Sequence, residues 1–89
     1  MVRIRLELPF AERIDGRESI NVPEGTVESA LRALTDGHPE LLRLIWTEAG
    51  AINPVLAVFL NDHLLDLQDI STQVKTGDQI DIISAVSGG

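Results

Sequence analysis

The residues best suited to chemistry stand at the end of the chain. Gly88 and Gly89 directly follow an apolar run. Glycine has no Cβ, so an extended Gly-Gly segment fits a narrow slot where a side chain would clash. Recognition of a C-terminal carboxylate by backbone groups of a partner is a known binding mode. We therefore expect the α-carboxylate of Gly89 to be the reactive group. The alternative is a chain end that holds two small residues without a function.

An α-carboxylate must be activated before it reacts. With a pKa near about 3.5 it is ionised at neutral pH and is a poor electrophile. Activation as an acyl phosphate or acyl adenylate allows a nucleophile to displace the leaving group in a second step. The isolated glycines elsewhere in the chain form neither a phosphate-binding loop nor a dinucleotide fingerprint. The activating enzyme is therefore predicted to be a separate protein.

Other side chains are weak catalytic candidates. His38 precedes a proline, His63 lies in a predicted turn, and the chain has no cysteine to complete a zinc site. Ser84 and Ser87 lack the G-x-S-x-G elbow of a serine nucleophile. Three carboxylates lack the spacing of a calcium-binding loop and are expected to face solvent: Asp62, Asp66 and Asp69. We expect no metal site and no catalytic side chain.

Composition limits the partners. The chain has 89 residues, and 14 acidic against 7 basic residues give a formal net charge of -7. This charge repels nucleic acid and anionic lipid and attracts a basic cleft, although an acidic excess also serves solubility alone. We expect no nucleic-acid or membrane partner. The absence of cysteine, and of a continuous apolar signal region in residues 1–8, favours a cytoplasmic protein.

Hydrophobic periodicity predicts the elements of the first half. Apolar residues alternate with charged ones over residues 2–8, which predicts a strand, and residues 17–22 are predicted to form the second arm of a hairpin. Thr26 is a predicted N-cap of a helix of about three turns, which ends near Gly37. Pro39 is predicted to begin a second, shorter helix, which holds the only tryptophan, Trp46, in the core or as a partly covered anchor.

The second half is predicted to consist mainly of strands. Residues 55–60 read as a strand buried on much of both faces, and a turn at residues 61–62 leads to a short return strand at 64–65. Residues 69–76 are predicted to form a single helical turn or an ordered loop. Residues 80–86 are predicted to form the last strand.

These elements predict an α+β domain over residues 1–89, in which one mixed sheet packs on one main helix. If the first and last strands are parallel neighbours, residues 86–89 leave the centre of the sheet as a free tail. Ile80 and Ile82 would face the helix and Ile83 the opposite side. Ile83 with Leu64 is our predicted docking patch, and the alternative is that loops cover both.

The order of elements and the C-terminal motif resemble one family. The hairpin, the capped helix and the apolar strand ending in Asn61 precede Gly77-Asp78-Gln79-Ile80-Asp81-Ile82-Ile83, which leads to Val86-Ser87-Gly88-Gly89. This arrangement is similar to the MoaD and ThiS sulfur carriers, which are ubiquitin-like β-grasp proteins. The similarity covers nearly the whole chain.

The resemblance implies a function for the tail. An ATP-dependent adenylyltransferase of the ubiquitin-activating type would adenylate Gly89, which would then be converted to a thiocarboxylate. The sulfur would be delivered inside a sulfur-accepting biosynthetic enzyme. Gly88 and Gly89 would carry the chemistry, while Val86 and Ser87 thread the slot behind them. The chain would bind no cofactor, since ATP is consumed by the activating enzyme.

The resemblance favours a MoaD-like over a ThiS-like branch. Within the MoaD-like branch, this chain departs from the many members that serve molybdopterin synthase, which carry Pro-Pro where it has Ser84-Ala85. Other MoaD-like carriers, including those for cysteine synthesis, have a more similar ending. The chain also looks longer than a typical thiamine-pathway carrier across residues 37–54. Two other functions stay open, namely a ubiquitin-like modifier attached to lysines through the same tail and a plain β-grasp interaction module.

Overall fold

A computed structural model describes residues 1–11, 16 and 18–84 of the protein. The strands are β1 (Val2–Leu6), β2 (Ser19–Val22), β3 (Gly25–Thr26), β4 (Leu56–Leu60), β5 (His63–Leu64), β6 (Gln73–Val74) and β7 (Gln79–Ser84). The helices are α1 (Leu8–Ala11), α2 (Val27–Gly37) and α3 (Leu42–Ile45), with a 3-10 turn at Pro39–Leu41. Within these described residues, no helix has the length and apolar character needed to cross a membrane.

The main sheet has five strands in the order β2-β1-β7-β4-β5. β1 and β7 run parallel, with Ile4 opposite Ile80, whereas the other neighbours are antiparallel. The predicted central pairing of the first and last strands is therefore confirmed. β7 therefore lies in the middle of the sheet, and Ser84 is its last residue.

One face of this sheet is covered by α2, α3 and the 3-10 turn. Side chains of β1, β4 and β7 alternate between this face and the other, so every second residue is buried under the helices. The largest fully buried side chains of this core are Val2, Ile4, Val27, Leu31, Leu34, Leu41, Ile45, Val58, Ile80 and Ile82. The α+β arrangement of a mixed sheet on one main helix is confirmed.

The start of α2 is held by a reciprocal cap. Thr26 Oγ1 accepts from the Ser29 N–H at 3.0 Å, and Ser29 Oγ accepts from the Thr26 N–H at 2.9 Å. Gly25 precedes this cap with a φ of 155°, and a Cβ there would collide with Ser29 Oγ. The predicted N-cap at Thr26 is confirmed, and glycine is required beside it because any larger residue would disturb the cap.

The first strand is shorter than predicted. β1 ends at Leu6, and the chain turns into α1 at Leu8. Pro9 explains the change, because proline has no N–H for a central ladder but fits the first turn of a helix. The alternation that predicted a strand up to residue 8 therefore fails at its last step. Phe10 and Ala11 become buried in the core instead.

A second, two-stranded sheet was not predicted. β3 pairs with β6, placing Gly25 opposite Val74, where a helical turn or loop was expected. Only two residues from each segment take part, so periodicity within either segment carries no signal for the pairing. The return strand after β4 is also shifted by one residue, to His63–Leu64.

Trp46 packs between the helices and the loop that follows them. Its side chain is 3% exposed, and the Arg32 guanidinium lies 3.6 Å from the ring centroid. Arg32 Nη2 also donates to the Gly50 carbonyl at 3.1 Å. Of the two predicted positions for Trp46, the core is the one observed. The cation–π contact ties α2 to the loop before β4.

Candidate functional site

The face of the sheet opposite the helices is the candidate functional surface. It is formed by the odd-numbered residues of β1, β4 and β7, because their even-numbered neighbours point into the core. Ile80 and Ile82 are buried, with exposures of 0% and 1%, whereas Ile83 is 38% exposed. The predicted orientation of these three side chains is therefore confirmed.

An apolar patch occupies one half of this face. Ile83 of β7 lies opposite Ala57 of β4, and Phe59 of β4 lies opposite Leu64 of β5. Leu64 is 68% exposed, and Ala57 and Phe59 are half-buried. We call these four residues the outer apolar patch. The structure thus brings Ile83 and Leu64 to the two sides of β4 on one surface.

Ala57 and Phe59 were missed as members of this surface. Residues 55–60 are continuously apolar, so the sequence alone does not show which side faces the helices. Leu56 and Val58 are buried, at 4% and 0% exposure, which leaves Ala57 and Phe59 on the other face. Side chains alternate between the two faces of a strand, so knowing that Val58 is buried would have been enough to predict Ala57 and Phe59 on the other face.

The other half of the face is polar. Arg5 Nε lies 3.2 Å from Asp81 Oδ1, and the Asp81 side chain is only 15% exposed. Gln79 Nε2 donates to the same carboxylate at 3.3 Å. Asp81 also lies opposite Phe59 in the β4–β7 register. An ion pair therefore borders the outer apolar patch, and the sequence did not predict it because the pairing depends on the parallel β1–β7 register.

The four predicted tail residues Val86, Ser87, Gly88 and Gly89 lie outside the described residues, as does Ala85. The structure does describe the point from which they continue. Ser84 is the last residue of β7 and lies opposite Leu56 of β4. Its N–H donates to Glu7 Oε1 at 2.7 Å. Glu7 was not singled out in the sequence, because 77 residues separate the two partners.

The opposite end of β7 is held by side chains that bind backbone groups. Asn61 Oδ1 accepts from the Gln79 N–H at 2.9 Å, and the Asp78 carboxylate accepts from Asn61 Nδ2 and from the Lys75 N–H at 3.0 and 2.9 Å. The hydrogen bond from Asn61, followed by that from Lys75, lowers the pKa of Asp78. Nearby, the Thr76 N–H donates to Glu24 at 2.6 Å and lowers the pKa of that carboxyl group.

The remaining polar candidates lie at a helix end, in a hairpin turn and in loops. His38 stands at the C-terminal end of α2, and His63 Nδ1 lies 3.1 Å from the Asn61 carbonyl in the β4–β5 hairpin. Asp66 Oδ1 accepts from the Gln68 N–H within its own loop. In the part of the chain that the structure describes, no three His, Asp or Glu side chains are grouped so as to hold a metal ion.

Solved structures share this fold over the whole chain. A chain of the Amycolatopsis orientalis BexX/CysO complex superposes with a TM-score of 0.85 at 20% identity, covering 100% of both chains. SAMP1 from Haloferax volcanii gives a TM-score of 0.81 at 26% identity, covering 99% of this chain and 98% of that one. These similarities confirm the predicted ubiquitin-like β-grasp fold.

A third solved structure superposes less closely but has a slightly higher sequence identity. A chain of the complex of subunits 1 and 2 of the molybdopterin-converting factor from Helicobacter pylori 26695 gives a TM-score of 0.64 at 27% identity, with 99% of this chain and 97% of that chain covered.

Sequence comparisons complete the assignment. A search of the curated proteins finds no match to this chain. The profile of the ThiS family matches residues 10–89, which is nearly the whole chain. The match includes the main sheet from β2 onward, all the helices after α1 and the Gly-Gly end. The predicted resemblance is confirmed, and the protein belongs to the ThiS family.

Proposed function

We propose that the protein is a sulfur carrier whose reactive group is the carboxylate of Gly89. A carboxylate oxygen would bond to the α-phosphorus of ATP with loss of pyrophosphate, which gives an acyl adenylate. A sulfide-level nucleophile would then displace AMP from the acyl carbon and leave a thiocarboxylate. The observation that carries the proposal is the ThiS-family match, which extends through Gly88 and Gly89.

In this proposal the protein is a co-substrate and not an enzyme. A separate ATP-dependent adenylyltransferase of the ubiquitin-activating type consumes the nucleotide, and the carrier itself binds no cofactor. Both partners act in the cytoplasm. The position of β7 supports presentation of the last residues to a partner, because β7 is the central strand of the sheet and Ser84 is its last residue. A tail attached to a rigid element is presented to a partner at a lower entropic cost.

The outer apolar patch is the proposed docking surface for the activating enzyme. Leu64 and Ile83 are exposed there, at 68% and 38%, beside the half-buried Phe59. Exposed apolar clusters with polar borders often mark protein interfaces. The formal net charge of -7 would increase the rate of encounter with a basic cleft. Two of the similar structures are complexes of two proteins, which supports recognition by protein partners.

The sulfur acceptor is proposed to be a biosynthetic enzyme for molybdopterin or for cysteine. The similar structures include a molybdopterin-converting factor and a CysO complex. We retain the MoaD-like branch because the length of residues 37–54 favours it over a thiamine-pathway carrier. Within that branch, Ser84-Ala85 in place of Pro-Pro favours a carrier for cysteine synthesis over one for molybdopterin synthase. Val86 and Ser87 would thread the slot of the activating enzyme.

A second candidate function is attachment to other proteins as a modifier. The similarity to SAMP1, a small archaeal modifier protein, favours it. Both functions require the same adenylation, so the product distinguishes them: a carrier ends in a thioacid, whereas a modifier forms amide bonds to lysines. Lys75 is the only lysine of the chain, so long self-linked polymers through varied sites are not expected.

The test is the intact mass of the chain after co-expression with the ubiquitin-activating-type enzyme of the same genome and a sulfur source, followed by a thiol-alkylating reagent. The chain has no cysteine, so any alkylated product carries added sulfur. We expect one label that maps to Gly89, and no label in Gly89→Ala. Gly37→Ala is the matched control, because a Cβ at Gly37 meets no atom within 4 Å.

Three outcomes would contradict the carrier proposal. Normal labelling of Gly89→Ala would show that glycine is not required at position 89, against the proposed narrow slot. Chains linked to lysines, without a thioacid, would support the modifier. Normal function of a chain lacking Gly88 and Gly89 would support a plain interaction module.

A further inference from the structure

The ends of β1 and β7 are joined by a hydrogen bond between two residues that are 77 positions apart in the sequence. Glu7 follows the last residue of β1, and Ser84 is the last residue of β7. The Ser84 N–H donates to Glu7 Oε1 at 2.7 Å. Both residues are half-buried, and a hydrogen bond to a carboxylate of this length is a strong one. The contact lies where the chain continues towards residues 85–89.

A main-chain carbonyl would hold the Ser84 N–H if β1 continued. Arg3 lies opposite Gln79, and the Arg3 N–H donates to the carbonyl of Asp78, one residue earlier. Bonds between parallel strands are evenly spaced. Continued along both strands, this pattern places the Ser84 N–H opposite the carbonyl of Glu7.

That carbonyl is already used by α1. The Glu7 carbonyl accepts from the Phe10 N–H at 3.0 Å and from the Ala11 N–H at 3.1 Å. Phe10 and Ala11 are buried, at 6% and 0% exposure, so the backbone of Glu7 is fixed by a packed helical turn. The side-chain carboxylate of Glu7 therefore replaces its own main-chain carbonyl as the acceptor for β7.

A cleft of about 210 Å³ is located at this junction. It is lined by Arg5, Leu6, Glu7, Asp81, Ile82 and Ile83. Ile83 belongs to the outer apolar patch, and Ser84 is the next residue. Glu7 thus holds β7 at Ser84, the residue between Ile83 of the proposed docking surface and residues 85–89.

We propose that Glu7 is a positioning residue that sets the direction in which the chain leaves β7. The proposal rests on the function proposed for Gly89, because that function requires the tail to reach the activating enzyme at a defined offset from the outer apolar patch. Orientation of a reacting group acts mainly on the chemical step. Loss of the Glu7 anchor should therefore lower kcat and leave KM nearly unchanged.

The first measurement uses the free protein. Hydrogen exchange of the Ser84 amide, followed by NMR, should be about tenfold faster in Glu7→Ala, because the N–H loses its acceptor. Glu7→Gln retains an acceptor oxygen and should keep most of the protection. Glu18→Ala is the charge control, since Glu18 is an exposed carboxylate that lines a second cleft together with Glu7. Wild-type exchange at Ser84 in Glu7→Ala would overturn the proposal.

The second measurement is the rate of thioacid formation in the mass assay. We expect kcat to fall about tenfold in Glu7→Ala, with KM within about twofold of wild type, partial rescue in Glu7→Gln and no change in Glu18→Ala. A wild-type kcat in Glu7→Ala would refute the positioning role. If the wild-type chain itself took up no sulfur, the proposed function would fail, and the exchange measurement would still decide whether Glu7 anchors Ser84.

Discussion

The two faces of β7 are built from alternate residues of one short strand, yet they differ in burial and polarity. Ile80 and Ile82 are buried under the helices, at 0% and 1% exposure. On the other face, Asp81 pairs with Arg5 and Ile83 stays 38% exposed. The difference shows how one strand buries apolar side chains through one face and keeps the other face partly exposed and partly polar.

The comparison depends on the register of β7. A slip by one residue would exchange the two faces and expose Ile80 and Ile82. The register is held at the start of the strand, where Asn61 and Asp78 bind backbone groups, and at its end, where Glu7 binds Ser84. Polar side chains at both ends of β7 therefore fix its register, which keeps Ile80 and Ile82 on the buried face.

The largest expected effect follows from a cavity on the inner face. Ile82→Ala should lower the free energy of unfolding by about 2–5 kcal/mol, because it removes buried apolar atoms and leaves a cavity that the surrounding side chains fill only in part. Ile83→Ala, the adjacent residue on the outer face, should cost about 1 kcal/mol or less. Chemical denaturation of both variants measures the difference. Equal losses would break the comparison between the faces.

A smaller effect is expected from pH at the start of β7. The pKa of Asp78 is lowered, first by Asn61 and then by Lys75, so its ionised form stabilises the folded state above the ordinary carboxyl pKa of about 4. This contribution is lost as the pH falls through the lower pKa of the folded state. The pKa of Glu24, lowered by Thr76, acts in the same direction.

Thermal unfolding between pH 7 and pH 2.5 tests this expectation. Asp78→Asn should reduce the decrease in Tm on acidification and lower Tm at neutral pH. Asp36→Asn removes the same charge from an exposed position of α2 and serves as the control. An identical response in both variants would mean that net charge, and not the bonds of Asp78, sets the pH dependence.

The smallest effect on stability is expected for Ile83→Glu, which sharpens the comparison most. The side chain is exposed enough to stay hydrated, so Tm should change little, whereas affinity for the activating enzyme should fall at least about tenfold because a charge would be placed in the outer apolar patch. Leu42→Glu is the matched control, since Leu42 is 42% exposed on the helical side. Undiminished affinity of Ile83→Glu, measured by titration calorimetry, would exclude the patch as the docking surface.

Much of the fold was predictable because its elements are strongly periodic. The alternation in β1, the cap at Thr26 and the spacing in α2 each follow from neighbours within a few residues. The prediction failed at Leu8, where Pro9 ends the strand, and at β6, where a two-residue ladder depends on a partner about fifty residues away. Long-range pairing of so short a segment leaves no local signal.

The candidate site was predictable only in part. The alternation of side chains along β7 correctly predicted that Ile83 and Ile82 lie on different faces of the sheet. Leu64 is exposed on the same face as Ile83. Phe59 was missed because a continuously apolar strand does not reveal which side faces the helices. The Arg5–Asp81 pair and the Glu7–Ser84 bond could not be predicted, because each joins residues that only the parallel pairing of β1 and β7 brings together.

The sequence by itself determined the types of the main elements and the inner faces of β1, β7 and α2, because these follow from local periodicity and from residue chemistry. Only the tertiary structure decided which exposed residues share a surface and which carboxylate holds the end of β7. The physical reason is that hydrogen bonds and ion pairs between distant segments depend on strand order and register. Both are set by burial of the whole core, and no single segment carries them.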